Sequence, residues 1–270
     1  MGLRLRVVAP PRGSHWLRNG LTTFFRQPLA FCVLFLGYLV AASVIGWVPW
    51  IGSLLSVATV PLLSLAFMLA TRDALAGQPV RLLHLFALRR EPPKARRAML
   101  LLCLGFGIAV MLFVEFAVWA GGTELIEAMK PLAKADRTAQ DFMAVLNNPV
   151  VTRLAHTLSA LLALLSVPFW HALALVHWGG QSAGQALFSS TLALWRSKGA
   201  FLVYGLGWLG CVVAASLFGG VLVGLLTAAL GNPAFALAFG AMVFVALSAA
   251  FYVSLWFMFD DSFELDPPAA

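Results

Sequence analysis

The chain has 270 residues, of which 61% are hydrophobic and 11% charged, with a net charge of +7. A water-facing domain carries about 25% charged residues, so this chain cannot clothe a soluble surface and its solvent is largely lipid. Nucleic-acid binding is excluded as the reason for the positive charge, because the basic residues sit in short loops beside apolar runs.

Six runs are long enough to cross a bilayer, which takes about 20 apolar residues per helix. They lie near 29–48, 52–71, 98–120, 153–178, 200–229 and 234–258. Backbone polar groups in lipid must pair within their own segment. The expectation is therefore an all-α membrane protein of six transmembrane helices in one integral domain spanning 1–270. Residues 1–28 form an amphipathic lead-in. The "VPWIG" turn at 48–52 puts Trp47 and Trp50 at interfacial depth. The 72–97 connection is strongly basic. Residues 121–152 read as amphipathic helices on the outer face, 231–233 as a turn and 259–270 as an acidic, solvated tail. The apolar run at 29–48 is too long for a signal-peptide core, so the first span is read as retained.

Aromatic-Arg-spacer-Ala-Phe is written twice, 170 residues apart: Phe25, Arg26, Ala30 and Phe31 fall on Trp195, Arg196, Ala200 and Phe201. Upstream, Leu17, Leu21 and Phe25 fall on Leu187, Thr191 and Trp195, each set a single helical stripe. A break follows in each case, Gln27-Pro28 or Ser197-Lys198-Gly199, and a span opens. This predicts short amphipathic interfacial helices before the first and fifth spans, lying in the inner headgroup plane. "PVRLLHLFALRR" before the third span is a looser version. The pattern fits a parallel duplication. It equally fits the shared needs of any inner-side entry: aromatics, arginine and a helix break.

Fourteen of the eighteen Lys and Arg residues lie on the N-terminal segment, 72–97 and 179–199, and four on the other side. Both termini are therefore expected in the cytoplasm, with the chain in a bacterial inner membrane. Arg18, Arg26, Arg196 and Lys198 are candidate contacts to anionic lipid headgroups. A protein partner or a homo-oligomer stays open.

Glu115 is the one carboxylate inside a span, either a functional group or a hydrated interfacial one. His171, next to Trp170 and after Pro168, is a candidate for a polar pocket, against a packing histidine. His177 reads as interfacial. Pro61 and Pro168 interrupt the second and fourth spans. Gly220 and Gly224 form GxxxG, expected to pack helices within the bundle, and the 30-residue fifth run is expected to tilt strongly or break near Gly219-Gly220. Cys32, Cys103 and Cys211 read as small hydrophobes. No metal-ligand spacing, catalytic motif or cofactor fingerprint is present, so the expectations are no cofactor, no metal and no enzyme.

"GSHWLRNGLTTFFRQPLAF" (13–31) and "GQALFSSTLALWRSKGAFLVYGLGW" (184–208) resemble stretches of a bacterial family of multipass inner-membrane proteins of unknown function, common in β-proteobacteria. The layout also resembles six-helix proteins that include the membrane domain of some glycerophosphodiester phosphodiesterases, but no hydrolase domain is present here. The expected role is a non-catalytic bundle that binds anionic lipid or organises a partner at the cytoplasmic face. The alternative is a small transporter or exporter with a path near Glu115 and His171.

Overall fold

A computed structural model of the chain describes residues 3–133, 136, 138–230 and 234–265. The expected 231–233 turn, Lys134, Arg137 and the tail from Asp266 lie outside them. The described elements are β1 (Leu3–Leu5), α1 (Arg12–Arg26), α2 (Pro28–Gly46), α3 (Gly52–Ala58), α4 (Val60–Leu75), a 3₁₀ segment (Leu82–Arg90) and α5 (Pro93–Met129). They continue with α6 (Ala139–Leu146), α7 (Pro149–Ser166), a 3₁₀ turn (Val167–Phe169), α8 (Ala172–Gly179), α9 (Ala183–Arg196), α10 (Lys198–Leu230), α11 (Ala234–Ser262) and β2 (Phe263–Leu265). Six helical stretches are long and apolar enough to cross a membrane.

Proline sets several boundaries. It stands in the first turn of α2, α4, α5 and α7, where its missing N–H costs nothing and its φ suits a helix. Pro61 and Pro168 split the second and fourth spans, into α3/α4 at Thr59 and into α7, a 3₁₀ turn and α8. One expected boundary is corrected. The third helix does not stop at 120: Gly122 takes φ 50° and the helix resumes to Met129. Of the two alternatives for the fifth run, tilt or a break, the break does not occur: the helix runs continuously from Lys198 to Leu230, because glycine weakens a helix without interrupting its hydrogen-bond ladder.

The order of elements repeats three times: a short helix, a first span, a second span. The units are α1, α2, α3/α4; the 3₁₀ segment, α5, α7/α8; and α9, α10, α11. Each short helix packs on spans of the preceding unit, closing a ring. The 3₁₀ segment lies on α4 and α2, α9 on α8 and α5, and α1 on α11 and α10. The second spans α4, α8 and α11 carry much of the buried core. All the short helices gather at one end. Gln27 bonds to residues 78 and 80, Arg72 sits over the Trp178 ring at 5.7 Å, and Trp178 meets Trp256 and Phe259. The chain ends meet there too, β1 pairing antiparallel with β2 in the register Leu3–Leu265.

The 170-residue offset holds in the backbone. α1 ends at Arg26 and α2 starts at Pro28; α9 ends at Arg196 and α10 starts at Lys198. Buried Trp16, Gly20 and Thr23 fall on buried Ala186, Ser190 and Ala193. Each linking residue accepts a hydrogen bond from an arriving chain: Gln27 Oε1 from Val80 N (3.4 Å) and Ser197 Oγ from Val8 N (3.0 Å). The stripe ending in Phe25 or Trp195 does not dock on the bundle, since these residues are 70% and 73% exposed. The docked faces are rich in small residues that let backbones approach closely, and α1 is clamped into the bundle rather than resting on it.

Candidate functional site

The site with the most built geometry is the end that carries the short helices and fourteen of the eighteen basic residues. Its centre is α1. Gly13 and Gly20 let the helix touch α10 and α11. A Cβ at Gly13 would stand 2.1 Å from the Ala200 carbonyl oxygen, and one at Gly20 would stand 2.8 Å from Ser254 Cα. Trp16 fills the seam at 1% exposure, edge-on to Phe201 and Tyr204. Its Nε1 donates to Asp261 Oδ2 at 2.6 Å, and Arg12 Nε donates to the same oxygen at 2.9 Å. That hydrogen-bonded carboxylate holds the Arg12 guanidinium above its ordinary range. Asp261 was expected in a solvated tail. It instead stands in the last turn of α11 and locks α1 down, because a basic and an aromatic donor reach it from 245 or more residues away in sequence.

A parallel lock holds the 3₁₀ segment: His84 Nε2 bonds Asp73 Oδ2 at 3.0 Å near the end of α4. A third polar link joins the loop before α5 to α8, where His177 Nδ1 meets Glu91 Oε1. Glu91 is only 7% exposed. None of these carboxylates stood out in the sequence, since their partners are distant. The one local signal was the spacing Arg81, His84, Ala87, Arg90, a period of three that suits a 3₁₀ helix.

The four expected headgroup contacts all lie at this end. Arg18, Arg26, Arg196 and Lys198 are exposed, Lys198 reaching over the Trp195 ring at 5.6 Å. The two expected intramembrane polar residues are not brought together. His171 is 1% exposed and walled by the rings of Phe201, Phe259 and Phe263. Glu115 is exposed on α5. Phe106 of α5 touches Phe169 with centroids 5.0 Å apart. Glu115 lies nine residues further out, about 13.5 Å by helical rise, while His171 lies two residues inward of Phe169. The two share no path. Glu115→Gln is expected to leave the unfolding midpoint within about 0.5 kcal/mol of wild type, the usual range for an exposed site away from such locks. Thermal melts in detergent check this.

Gly220 and Gly224 do not pack helices within the chain: a Cβ at either would meet nothing within 4 Å. Gly220 instead lines a cavity between α10 and α11, together with Phe239, Gly240 and Val243. Among the described residues no group of three or more His, Cys, Asp or Glu could hold a metal ion. The three cysteines are free, Cys103 buried.

The fold defines a multipass helical membrane protein with a clamped, basic end. The chain is 34% identical to a protein of Burkholderia thailandensis named "Probable inner membrane protein", over 99% of this chain and 97% of that one. It belongs to the family of that protein. No family model and no solved structure matches.

Proposed function

We propose that this protein is an inner-membrane bundle, with both termini in the cytoplasm, whose basic end binds anionic lipid headgroups without doing covalent chemistry. One observation carries the reading. Two equivalent short helices end in exposed arginines, Arg26 and Arg196, at the mouth of a span, and Lys198 and Arg18 stand near them. Phe25 and Trp195, next to those arginines, are exposed as well. An aromatic beside a guanidinium at the start of a span suits the headgroup layer, where the ring lies among chain ends and the cation meets phosphate. The positive-inside bias supports a cytoplasmic position for this end, where anionic lipid gives about 1 kcal/mol per basic residue near the surface.

The test is lipid retention. Arg26→Glu/Arg196→Glu is expected to lower the number of phosphatidylglycerol molecules that co-purify. The same reversal at Arg153, exposed at the other end, is expected to lower it less. Equal losses would remove the anchoring role.

A further inference from the structure

The 3₁₀ segment Leu82–Arg90 has two working sides. With three residues per turn, side chains three apart eclipse. Arg81, His84 and Arg90 line one cavity and Leu82 and Leu85 another, and Phe86, at φ −97° and ψ 18°, kinks the segment between His84 and Arg90. The polar cavity, about 160 Å³, is lined by Arg81, His84 and Arg90 with Asp73, Gln78, Pro79 and Leu83. Asp73 Oδ2 is bonded to His84, and the two guanidiniums outnumber the one carboxylate around the cavity.

The other is an apolar cleft of about 320 Å³ between the segment, α2 and α4. Small residues hollow it: Gly37, Ala41 and Ala42 of α2 line the wall. Leu82 Cδ2 lies 2.6 Å from where a Gly37 Cβ would be. Gly37 is nine residues into α2, about 13.5 Å by rise, so the segment dips beside the span instead of staying at the headgroups. From Gly37 the cleft follows α2 out to Ile45, a further ~12 Å. Its volume falls within the roughly 300–1,000 Å³ of small-ligand sites. The polar groups on its wall include the hydroxyls of Tyr38 and Thr59, which are 3.3 Å apart.

A cationic cup and an apolar cleft aligned with the span, joined by one short segment, match a molecule with a phosphate at one end and a chain at the other. We infer that the 3₁₀ segment holds one anionic phospholipid of the basic-side leaflet, its phosphate on Arg81 and Arg90 and one acyl chain in the cleft beside Gly37, Ala41 and Ala42. The choice of an anionic lipid rests on the proposed function above. The site itself is distinct from the arginines of α1 and α9.

The experiment is native mass spectrometry of the full chain in detergent, with dioleoyl phosphatidylglycerol or dioleoyl phosphatidylcholine added at equal concentration. Wild type is expected to keep one phosphatidylglycerol at collision energies that strip all others, and no phosphatidylcholine. Ala42→Phe fills the cleft and Arg81→Glu/Arg90→Glu reverses the cup. Each is expected to cut the retained fraction by about tenfold, because charge-assisted hydrogen bonds to phosphate are about twice as strong as neutral ones and cannot be replaced by detergent. Retention of the tight lipid by the double charge reversal, or equal retention of phosphatidylcholine by wild type, overturns the inference. So does retention by a stably folded Ala42→Phe; if that variant misfolds, the exposed arginine pair alone decides. Arg26→Glu/Arg196→Glu separates the two claims. It should keep the tight lipid while shedding the loose ones. Loss of the tight lipid only at the cleft and cup, with the loose ones unmoved by Arg26→Glu/Arg196→Glu, removes the broader reading and leaves this one.

Discussion

Gly13→Ala is expected to destabilise the chain by about 3 kcal/mol, at the upper end of what overpacking costs. The added methyl would stand 2.1 Å from the Ala200 carbonyl oxygen and 2.8 Å from the Tyr204 amide nitrogen. Both are helical backbone of α10, which cannot rotate aside as a side chain would. The relief open to the structure is to move α1 outward. That movement draws Trp16 from its seam and stretches its bond to Asp261. Gly20→Ala acts the same way on α11, meeting Ser254 Cβ at 2.3 Å and its Cα at 2.8 Å. Gly210→Ala is the control, since nothing lies within 4 Å of the added atom. Alanine there gains helix propensity, about 0.5–1 kcal/mol over glycine, so its effect is neutral or stabilising. Tryptophan-fluorescence melts in detergent give the order. Limited trypsin digestion gives the mechanism: cleavage at Arg18 and Arg26 should speed up in Gly13→Ala before the spans unfold. A Gly13→Ala protein that melts like Gly210→Ala would show that α1 is not clamped.

The same two glycines show what the sequence could and could not reveal. The spans were legible because lipid demands long unbroken apolar helices, and length alone places them to within a few residues. The short helices were legible as well, from the aromatic-Arg-break pattern at the 170-residue offset. Their docked faces were not. Hydropathy points to Leu17, Leu21 and Phe25, whereas the bundle takes Gly13, Trp16, Gly20 and Thr23. In lipid a leucine gains nothing by turning inward, so close approach, not greasiness, selects the packing face. The sequence left α10 open between a tilted continuous helix and a break, for a related reason. Gly219 and Gly220 look like a breaker, yet inside lipid a broken ladder costs more than two weak helix formers. The polar locks were invisible, because Asp261, Asp73 and Glu91 find partners only after the ring has closed. In the basic end, the arginines were found from charge patterning. The cavities around residues 81–90 needed Asp73, Gln78 and the walls of α2 and α4, which only folding brings against the segment.

The ring also identifies its most vulnerable polar link. Glu91 is almost fully buried, and its carboxylate is bonded to His177, whose side chain is 25% exposed. Arg96 is adjacent but donates to the Glu91 backbone carbonyl rather than its carboxylate. Removing His177 therefore strands an acid away from water, while removing Glu91 leaves a ring that solvent can still reach. His177→Ala is expected to cost about 3 kcal/mol, the lower end for breaking a buried pair because the histidine side is partly solvated. Glu91→Gln retains a neutral hydrogen-bond partner and is expected to cost about 1 kcal/mol. The double variant His177→Ala/Glu91→Gln should be more stable than His177→Ala alone, since no orphaned carboxylate remains, giving a coupling of about 1–2 kcal/mol in the double-mutant cycle. Thermal melts of the four proteins supply the cycle. The link joins the loop before α5 to α8, and so the second unit's entry to its own second span. Its loss should also open the 82–97 segment to trypsin at Arg89, Arg90 and Arg97, all exposed in the intact fold, with faster cutting in His177→Ala than in Glu91→Gln. Additive losses with unchanged digestion would mean that the pair is surface decoration, and that packing of the 3₁₀ segment on α2 and α4 holds this seam without it.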